Sequence, residues 1–170
     1  YLGQYTTGLG ITNSGETSAD YRIDNTPSTS TEGKKYDYLL FQFNESVVVD
    51  KAALSAILTD SDASVWYGNA ATLTTLSDAT LSALSSVEQN AGGSTARVAD
   101  INAGQIRGNT FVIAAANNES SGNDHFTVSS LDYQRLINSG NSLTNTATVS
   151  AAGDSNPANN SATDTDTILS

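Results

Sequence analysis

Carboxylates and amides are the side chains of this sequence that suit chemistry, because cysteine is absent and histidine occurs once. Those with the best spacing for a cation lie in turns or at the start of a predicted strand: Asp24, Asn25, Asp60, Asp62 and Asp124. Calcium takes about six to eight oxygen ligands, and loops rich in Asp and Asn supply them. We therefore predict that these five residues hold a structural Ca²⁺ ion.

The same residue types also cap turns through their own side chains, so capping is the alternative interpretation. The segment that begins at Asp60 is not a complete Asp-x-Asp-x-Asp-Gly loop, since Ser64 occupies its fifth position. The sequence therefore leaves calcium binding and turn capping open.

Any catalysis that needs an imidazole would depend on His125, the single histidine of the sequence. His125 follows Asp124, and serine is abundant, so a Ser-His-Asp set can be written from residue types alone. No Gly-x-Ser-x-Gly elbow is present. We expect His125 to face solvent in an alternating strand, and we predict no catalytic residue and no enzymatic activity.

Trp66 and Tyr67 are adjacent aromatic residues that suit stacking on a sugar ring. Neighbouring residues of a strand face opposite ways. We expect Trp66 to point into the core and Tyr67 outward. A lone Trp in such a pattern is more often a core residue than a binding platform.

Composition excludes several classes of protein. Seven Lys and Arg against 18 Asp and Glu give a net charge of -11, which disfavours binding to nucleic acid. No apolar run approaches the roughly 20 residues of a membrane span. Abundant Ser, Thr and Asn without cysteine is typical of secreted bacterial surface proteins, and an intracellular acidic protein is the alternative.

Short alternating or apolar segments dominate the chain and predict an all-β fold. Strands are expected over 38–43, 47–49, 54–58, 63–67, 96–101, 110–115 and 126–131. Leucines at helical spacing predict one short helix over about 78–87, with Ser77 as its N-cap. The expected architecture is a β-sandwich of jelly-roll type with a C-terminal β arm.

Two parts are expected: a β-sandwich core domain over 1–132 and a β arm over 133–170. The arm contains alternating segments at 143–149 and 163–169 but too little apolar content to form a core alone. It must pack on its own subunit or on a neighbour.

Six segments, in this order, resemble exosortase-dependent (PEP-CTERM type) bacterial surface protein domains. They are YLGQY (1–5), GLGITN (8–13), IDN (23–25), DYLLFQF (37–43), TDSDASVW (59–66) and NDHFTVSSL (123–131). The segments at 143–149 and 154–167 are similar to the closing strands of an immunoglobulin-like adhesin repeat. The resemblance implies a secreted protein of the cell surface or extracellular matrix, without catalytic activity. The sequence departs from the family pattern in two ways: it lacks the sorting helix, and it lacks the strand expected before Tyr1.

A sandwich without its first strand has an unpaired edge, and an added strand repairs it. We therefore expect a structural subunit of a surface or biofilm-matrix filament, built head to tail by strand donation. The residues expected to assemble it are Leu143, Ala147, Val149 and Ile168. Two alternatives stay open: a tail docked on its own sandwich, and a monomeric calcium-stabilised module that binds polysaccharide.

Overall fold

The computed structural model describes residues 2–12, 21–25, 36–84, 86–118, 123–135, 142–148 and 161–167. The chain divides into two compact units, Tyr1–Arg135 and Leu136–Ser170. Both are built from β-strands, and the described part contains one short helix. The predicted boundary between 132 and 133 stays a prediction, and the last strand of the first unit continues to Arg135.

The described part of the first unit contains nine strands and the helix. In chain order they are β1 (Leu2–Tyr5), β2 (Gly8–Ile11), β3 (Ile23–Asp24), β4 (Tyr38–Ser55), β5 (Ala63–Gly68), α1 (Asp78–Ala83), β6 (Ser86–Asn90), β7 (Arg97–Asp100), β8 (Gly108–Ala115) and β9 (His125–Arg135). The second unit contains β10 (Ser142–Thr148) and β11 (Ser161–Thr167).

Strands of the first unit form one antiparallel sheet in the order β1-β2-β9-β4-β8-β5-β6. β3 adds to β9, and β7 adds to β4. No helix among the described residues is both long and apolar enough to span a membrane.

β4 joins the two halves of this sheet. Its first part pairs with β8 over Tyr38–Gln42, and its second part pairs with β9 over Val47–Ser55, with a register shift between them. Three separate strands over 38–43, 47–49 and 54–58 were expected here, and that expectation is wrong. The polar Asn-Glu-Ser segment lies inside one 18-residue strand, because the irregular pairing accommodates it without ending the strand.

Side chains from both halves of the sheet pack in one interior cluster. Leu39, Val65 and Ile113 come from the half around β8, and Leu54 and Phe126 come from the half around β9. All five are buried. The predicted all-β, sandwich-like fold with one short helix is therefore confirmed.

A smaller cluster lies on the outer face of β5 and β8, where Trp66, Val112 and Ala114 pack with Leu84. The segment around α1 adds Leu76 and Leu81 to it. Burying the outer face in this way explains why every residue of β5 is buried.

The helix begins at Asp78 behind the predicted N-cap, but it ends at Ala83 rather than 87. The Ser77 side chain accepts from the Thr80 amide, and the Thr80 side chain accepts from the Ser77 amide, which forms a capping box. Val87 lies in β6, where it pairs with Trp66. Pairing with β5 therefore overrides the helical spacing of the leucines.

β10 and β11 form a separate antiparallel pair, with Ala147 opposite Ala162. Thr144 faces Thr165, and Thr146 lies 3.1 Å from Thr163 between hydroxyl oxygens. The side chains described in this pair are exposed. The alternating segments of the tail thus form strands, as expected.

Candidate metal centre

The loop between β4 and β5 lies against the start of β9. The Asp60 amide donates to the Asn123 carbonyl at 3.2 Å, and the His125 amide donates to the Asp60 carbonyl at 2.9 Å. Asp60 and Asp124 form an isolated parallel bridge. These backbone bonds fix two segments that are far apart in sequence side by side.

This arrangement brings three carboxylates together. One oxygen from each of Asp60, Asp62 and Asp124 lies within 4.8 Å of the others. Asp124 is fully buried, and Asp60 and Asp62 are half-buried. We call these three residues the carboxylate cluster.

Asn25 orients Asp124 within the cluster. Its Nδ2 donates to Asp124 Oδ2 at 2.5 Å and to the Ala116 carbonyl at 3.0 Å. Its Oδ1 accepts from the Asp124 amide at 3.0 Å. The amide of Asn25 is thus engaged in holding the carboxylate of Asp124 in place.

Asp24 lies apart from the cluster. It is buried in β3, where it pairs with His125 of β9, and its carboxylate is not one of the three that converge. The structure therefore brings together Asp60, Asp62 and Asp124, with Asn25 behind them. Whether these residues ligate a metal stays a prediction.

Asp62 is held both through its amide and through its carboxylate. Its amide donates to Asp124 Oδ1 at 3.1 Å, and its Oδ1 accepts from the Gly92 amide. A Cβ at Gly92 would collide with the backbone of Ser61, so this approach needs a glycine.

Arg97 carries a positive charge on which the carboxylates of Asp62 and Asp60 act electrostatically. Its guanidinium donates to the Ser61 carbonyl at 2.8 Å and to Asn90 Oδ1 at 2.7 Å. Burial lowers the pKa of Arg97, and the charges of Asp62 and Asp60 act in the opposite direction. Arginine stays protonated in proteins, so it offsets part of the negative charge. Nothing in the sequence pattern pointed to Arg97, because it reaches the cluster from β7, which is distant in sequence from Asp60 and Asp124.

The cluster has the chemistry of a calcium site. Three carboxylates supply hard oxygen donors, and each oxygen that accepts one hydrogen bond keeps a second lone pair. Backbone carbonyls and water would complete the roughly six to eight ligands that Ca²⁺ takes. The donor set therefore fits the ion that the sequence predicts.

His125 is buried, so the expectation that it faces solvent is wrong. The start of β9 is covered by β3 on one side and by the Asp60 loop on the other. His125 Nδ1 lies 2.9 Å from the Asn123 carbonyl and donates to it, since a carbonyl only accepts.

Trp66 and Tyr67 are both buried, on opposite faces of β5. The expectation that Tyr67 points outward is wrong, because the sheet is covered on both faces here. The Tyr67 hydroxyl donates to the Ile101 carbonyl and lies 3.2 Å from Glu88 Oε2. Burial, and next the charge of Glu88, raises the pKa of Tyr67 far above its usual range.

The residues predicted to drive self-assembly lie in the second unit. Leu143 and Ala147 belong to β10, and Ala147 is exposed. Val149 and Ile168 lie outside the described residues.

Comparison with protein-family models, curated proteins and solved structures finds no match to this chain.

Proposed function

We propose that this protein is a structural subunit of an extracellular filament, assembled head to tail by β-strand donation. The observation that carries this proposal is the open edge of β4 beside an apolar groove. The proposed setting is the bacterial cell surface or biofilm matrix, supported by the composition and by the resemblance to exosortase-dependent surface domains.

The open edge belongs to the first part of β4. Residues 38–42 pair with β8 on one side, and no strand among the described residues pairs with them on the other. An unpaired edge presents a row of backbone donors and acceptors that a strand from another molecule can complete.

An apolar groove lies at this edge. A cavity of about 390 Å³ is lined by Leu2 of β1, Leu9 and Ile11 of β2, and Leu39 and Phe41 of β4. Alternate side chains of an added strand would enter such a groove, while its backbone pairs with the edge.

The proposed donor is the β10–β11 segment of a second copy. A two-stranded sheet is at best marginally stable in water, so this unit gains stability from a partner. Positions 143, 145, 147 and 149 are Leu, Asn, Ala and Val in that order. Alternate residues of a strand share one face, so this face would have apolar character. Leu143, Ala147 and Val149 are proposed to face the groove, with Ile168 as the apolar contribution of the other strand.

Such a contact joins two different surfaces. Each subunit offers a groove and a donor, so the contact repeats without closing and produces a filament.

A second candidate function is a monomeric, calcium-stabilised module for adhesion or carbohydrate binding. The carboxylate cluster favours it, because three converging carboxylates are costly to keep together without a cation. Asp60, Asp62 and Asp124 are the proposed ligands, with Asn25 orienting Asp124. The two functions are compatible, since a calcium ion at the carboxylate cluster would stabilise each subunit of a filament.

Substitutions at exposed residues test the filament without threatening the fold. Leu2→Asp places a charge in the groove at a side chain that is 66% exposed, and Val98→Asp makes the matched change on β7 at a side chain that is 68% exposed. We expect Leu2→Asp to abolish assembly in light scattering and sedimentation, and Val98→Asp to leave it intact.

The donor segment also offers a test substitution with a matched control. Ala147 and Thr146 are neighbours on opposite faces of β10, and both are exposed. Ala147→Asp should stop assembly, whereas Thr146→Asp should not. A wild-type protein that is monomeric at every concentration would refute the filament and leave the calcium-stabilised module.

A further inference from the structure

A long cleft lies on the outer face of the sheet, beside α1. It consists of two adjoining cavities of about 290 Å³ and about 600 Å³. Both are lined by Trp66, Asp78, Leu81 and Asn117, so they form one continuous space. Its size suits a ligand longer than one small molecule.

Aromatic rings line one side of the cleft. Trp66 forms part of the lining of both cavities, and Tyr36 and Tyr38 line the first. Tyr38 is 39% exposed, so its ring is accessible to a ligand. Aromatic faces combine apolar area with an electron-rich surface, which suits the C–H faces of a pyranose ring.

Polar groups stand at the mouth of the cleft. Asp78 is exposed, and its carboxylate accepts no hydrogen bond among the described residues. Asn117 Oδ1 accepts from Ser64 Oγ at 2.9 Å and from Gln89 Nε2 at 3.1 Å, which fixes the amide group. Its Nδ2 then remains as a preoriented donor. A carboxylate and an oriented amide beside aromatic rings are groups that bind sugar hydroxyls.

We infer that this cleft binds a chain of neutral sugars. The rings of Tyr36 and Tyr38 supply stacking surface, and Asp78 and Asn117 supply directional hydrogen bonds. The charge of Asp78, together with a net charge of -11, disfavours anionic polysaccharides. The cleft borders the groove lined by Leu2, Leu9 and Ile11, since Tyr36 and Tyr38 line both. Asp78 and Asn117 line only the cleft, so a substitution at Asp78 tests sugar binding without altering the groove.

Intrinsic fluorescence gives a direct test, because Trp66 is the single tryptophan of the chain. The full-length protein would be titrated with neutral oligosaccharides of four to six hexose units, drawn from glucans, mannans and galactans. We expect at least one of them to shift or quench Trp66 emission with saturation. Anionic oligosaccharides of uronic acids should give no saturable change.

Two pairs of variants locate the binding. Asp78→Asn should weaken affinity by about tenfold or more, since it removes a charge-assisted hydrogen bond, and Asp132→Asn should not. Tyr38→Ala should weaken affinity too, and Tyr133→Ala, an exposed tyrosine elsewhere, should not. The inference is overturned if no neutral oligosaccharide changes the emission, or if binding is unaffected by both Asp78→Asn and Tyr38→Ala.

Discussion

Three carboxylates of like charge converge at the carboxylate cluster, so they repel one another. Asp60, Asp62 and Asp124 converge within 4.8 Å, and Arg97 is the cation whose charge they influence. The backbone bonds around Asp60 and the amide of Asn25 hold the carboxylates in place against this repulsion. A bound cation would convert the repulsion into attraction, so the stability of the first unit should depend on calcium.

Asp60→Asn tests that dependence. For the wild type, Ca²⁺ at about 100 times its Kd should raise the free energy of unfolding by about 2.7 kcal/mol, which corresponds to a Tm increase of roughly 5 to 10 °C. The variant should lose most of this increase. In chelator, however, it should be at least as stable as the wild type, because one repelling charge is gone.

Differential scanning calorimetry with Ca²⁺ and with chelator measures both effects, and Asp132→Asn is the control for a charge change outside the cluster. A wild-type Tm that is unchanged by Ca²⁺ would contradict the proposed ion.

The buried hydroxyl of Tyr67 leads us to predict that the protein loses stability at alkaline pH. The folded state keeps its hydroxyl protonated, since burial raises its pKa, whereas the unfolded state ionises near pH 10. Above that pH the unfolded state binds fewer protons, so the free energy of unfolding falls as pH rises. The stabilisation is fully present below pH 10.

Tyr67→Phe should remove this part of the pH dependence. At neutral pH the variant should lose about 1 to 2 kcal/mol, because the Ile101 carbonyl is left without its donor. Denaturant unfolding of both proteins from pH 8 to 11 should show the difference shrinking above pH 10. A difference that stays constant would rule out this role of Tyr67.

The residues of the cluster could be predicted from the sequence, but their partners could not. Asp60, Asp62 and Asp124 stand in turns and at a strand start, where oxygen ligands are common. Arg97 approaches from the first position of β7, and no local pattern predicts that contact. His125 and Tyr67 were expected at the surface because alternation shows which residues share a face, but not whether the second face is covered.

The leucine spacing around α1 favours helix, whereas pairing with β5 favours strand, and the balance between them sets where the helix ends. The helix has only six residues, and the capping box of Ser77 and Thr80 provides its defined start. Residues 86–90 leave the helical pattern because they complete the sheet beside β5. The start was predictable from a local signal, whereas the end depended on a strand that is distant in sequence.

Ser77→Ala tests the contribution of the cap. It should lower the free energy of unfolding by about 1 kcal/mol, since the Thr80 amide loses its side-chain acceptor. The emission of Trp66 should move to longer wavelength as α1 loosens over the outer cluster.

Ser82→Ala is the control, because it changes an exposed serine inside the same helix. Equal stability of the two variants would show that the cap does not hold α1 in place.

β4 is a second element whose end could not be predicted from the local sequence pattern. Its strong apolar segment at 38–43 was predicted, but its continuation through Asn44, Glu45 and Ser46 was not. Polar residues usually mark turns, and only the pairing with β8 and β9 keeps this segment extended. The open edge of β4, which carries the functional proposal, is likewise a property of the assembled sheet.

Net charge sets the behaviour of the whole molecule. At -11 for each subunit, neighbouring copies repel one another at low ionic strength. At about 0.15 M salt the screening length falls to about 8 Å, so contacts between edges become favourable. Assembly should therefore increase with salt.

Light scattering across about 0.01 to 0.5 M NaCl measures this dependence. Scattering should rise with NaCl, and Mg²⁺ should have the same effect at lower concentration. Scattering that falls as salt increases would show that attraction between charges, rather than strand addition, holds the subunits together.

Electron microscopy of the negatively stained full-length protein tests the central proposal most directly. At about 0.15 M salt we expect fibres with a regular repeat from the wild type and from Val98→Asp, and single particles from Leu2→Asp. Separate globular particles of the wild type, at every protein concentration and salt, would contradict assembly by strand donation.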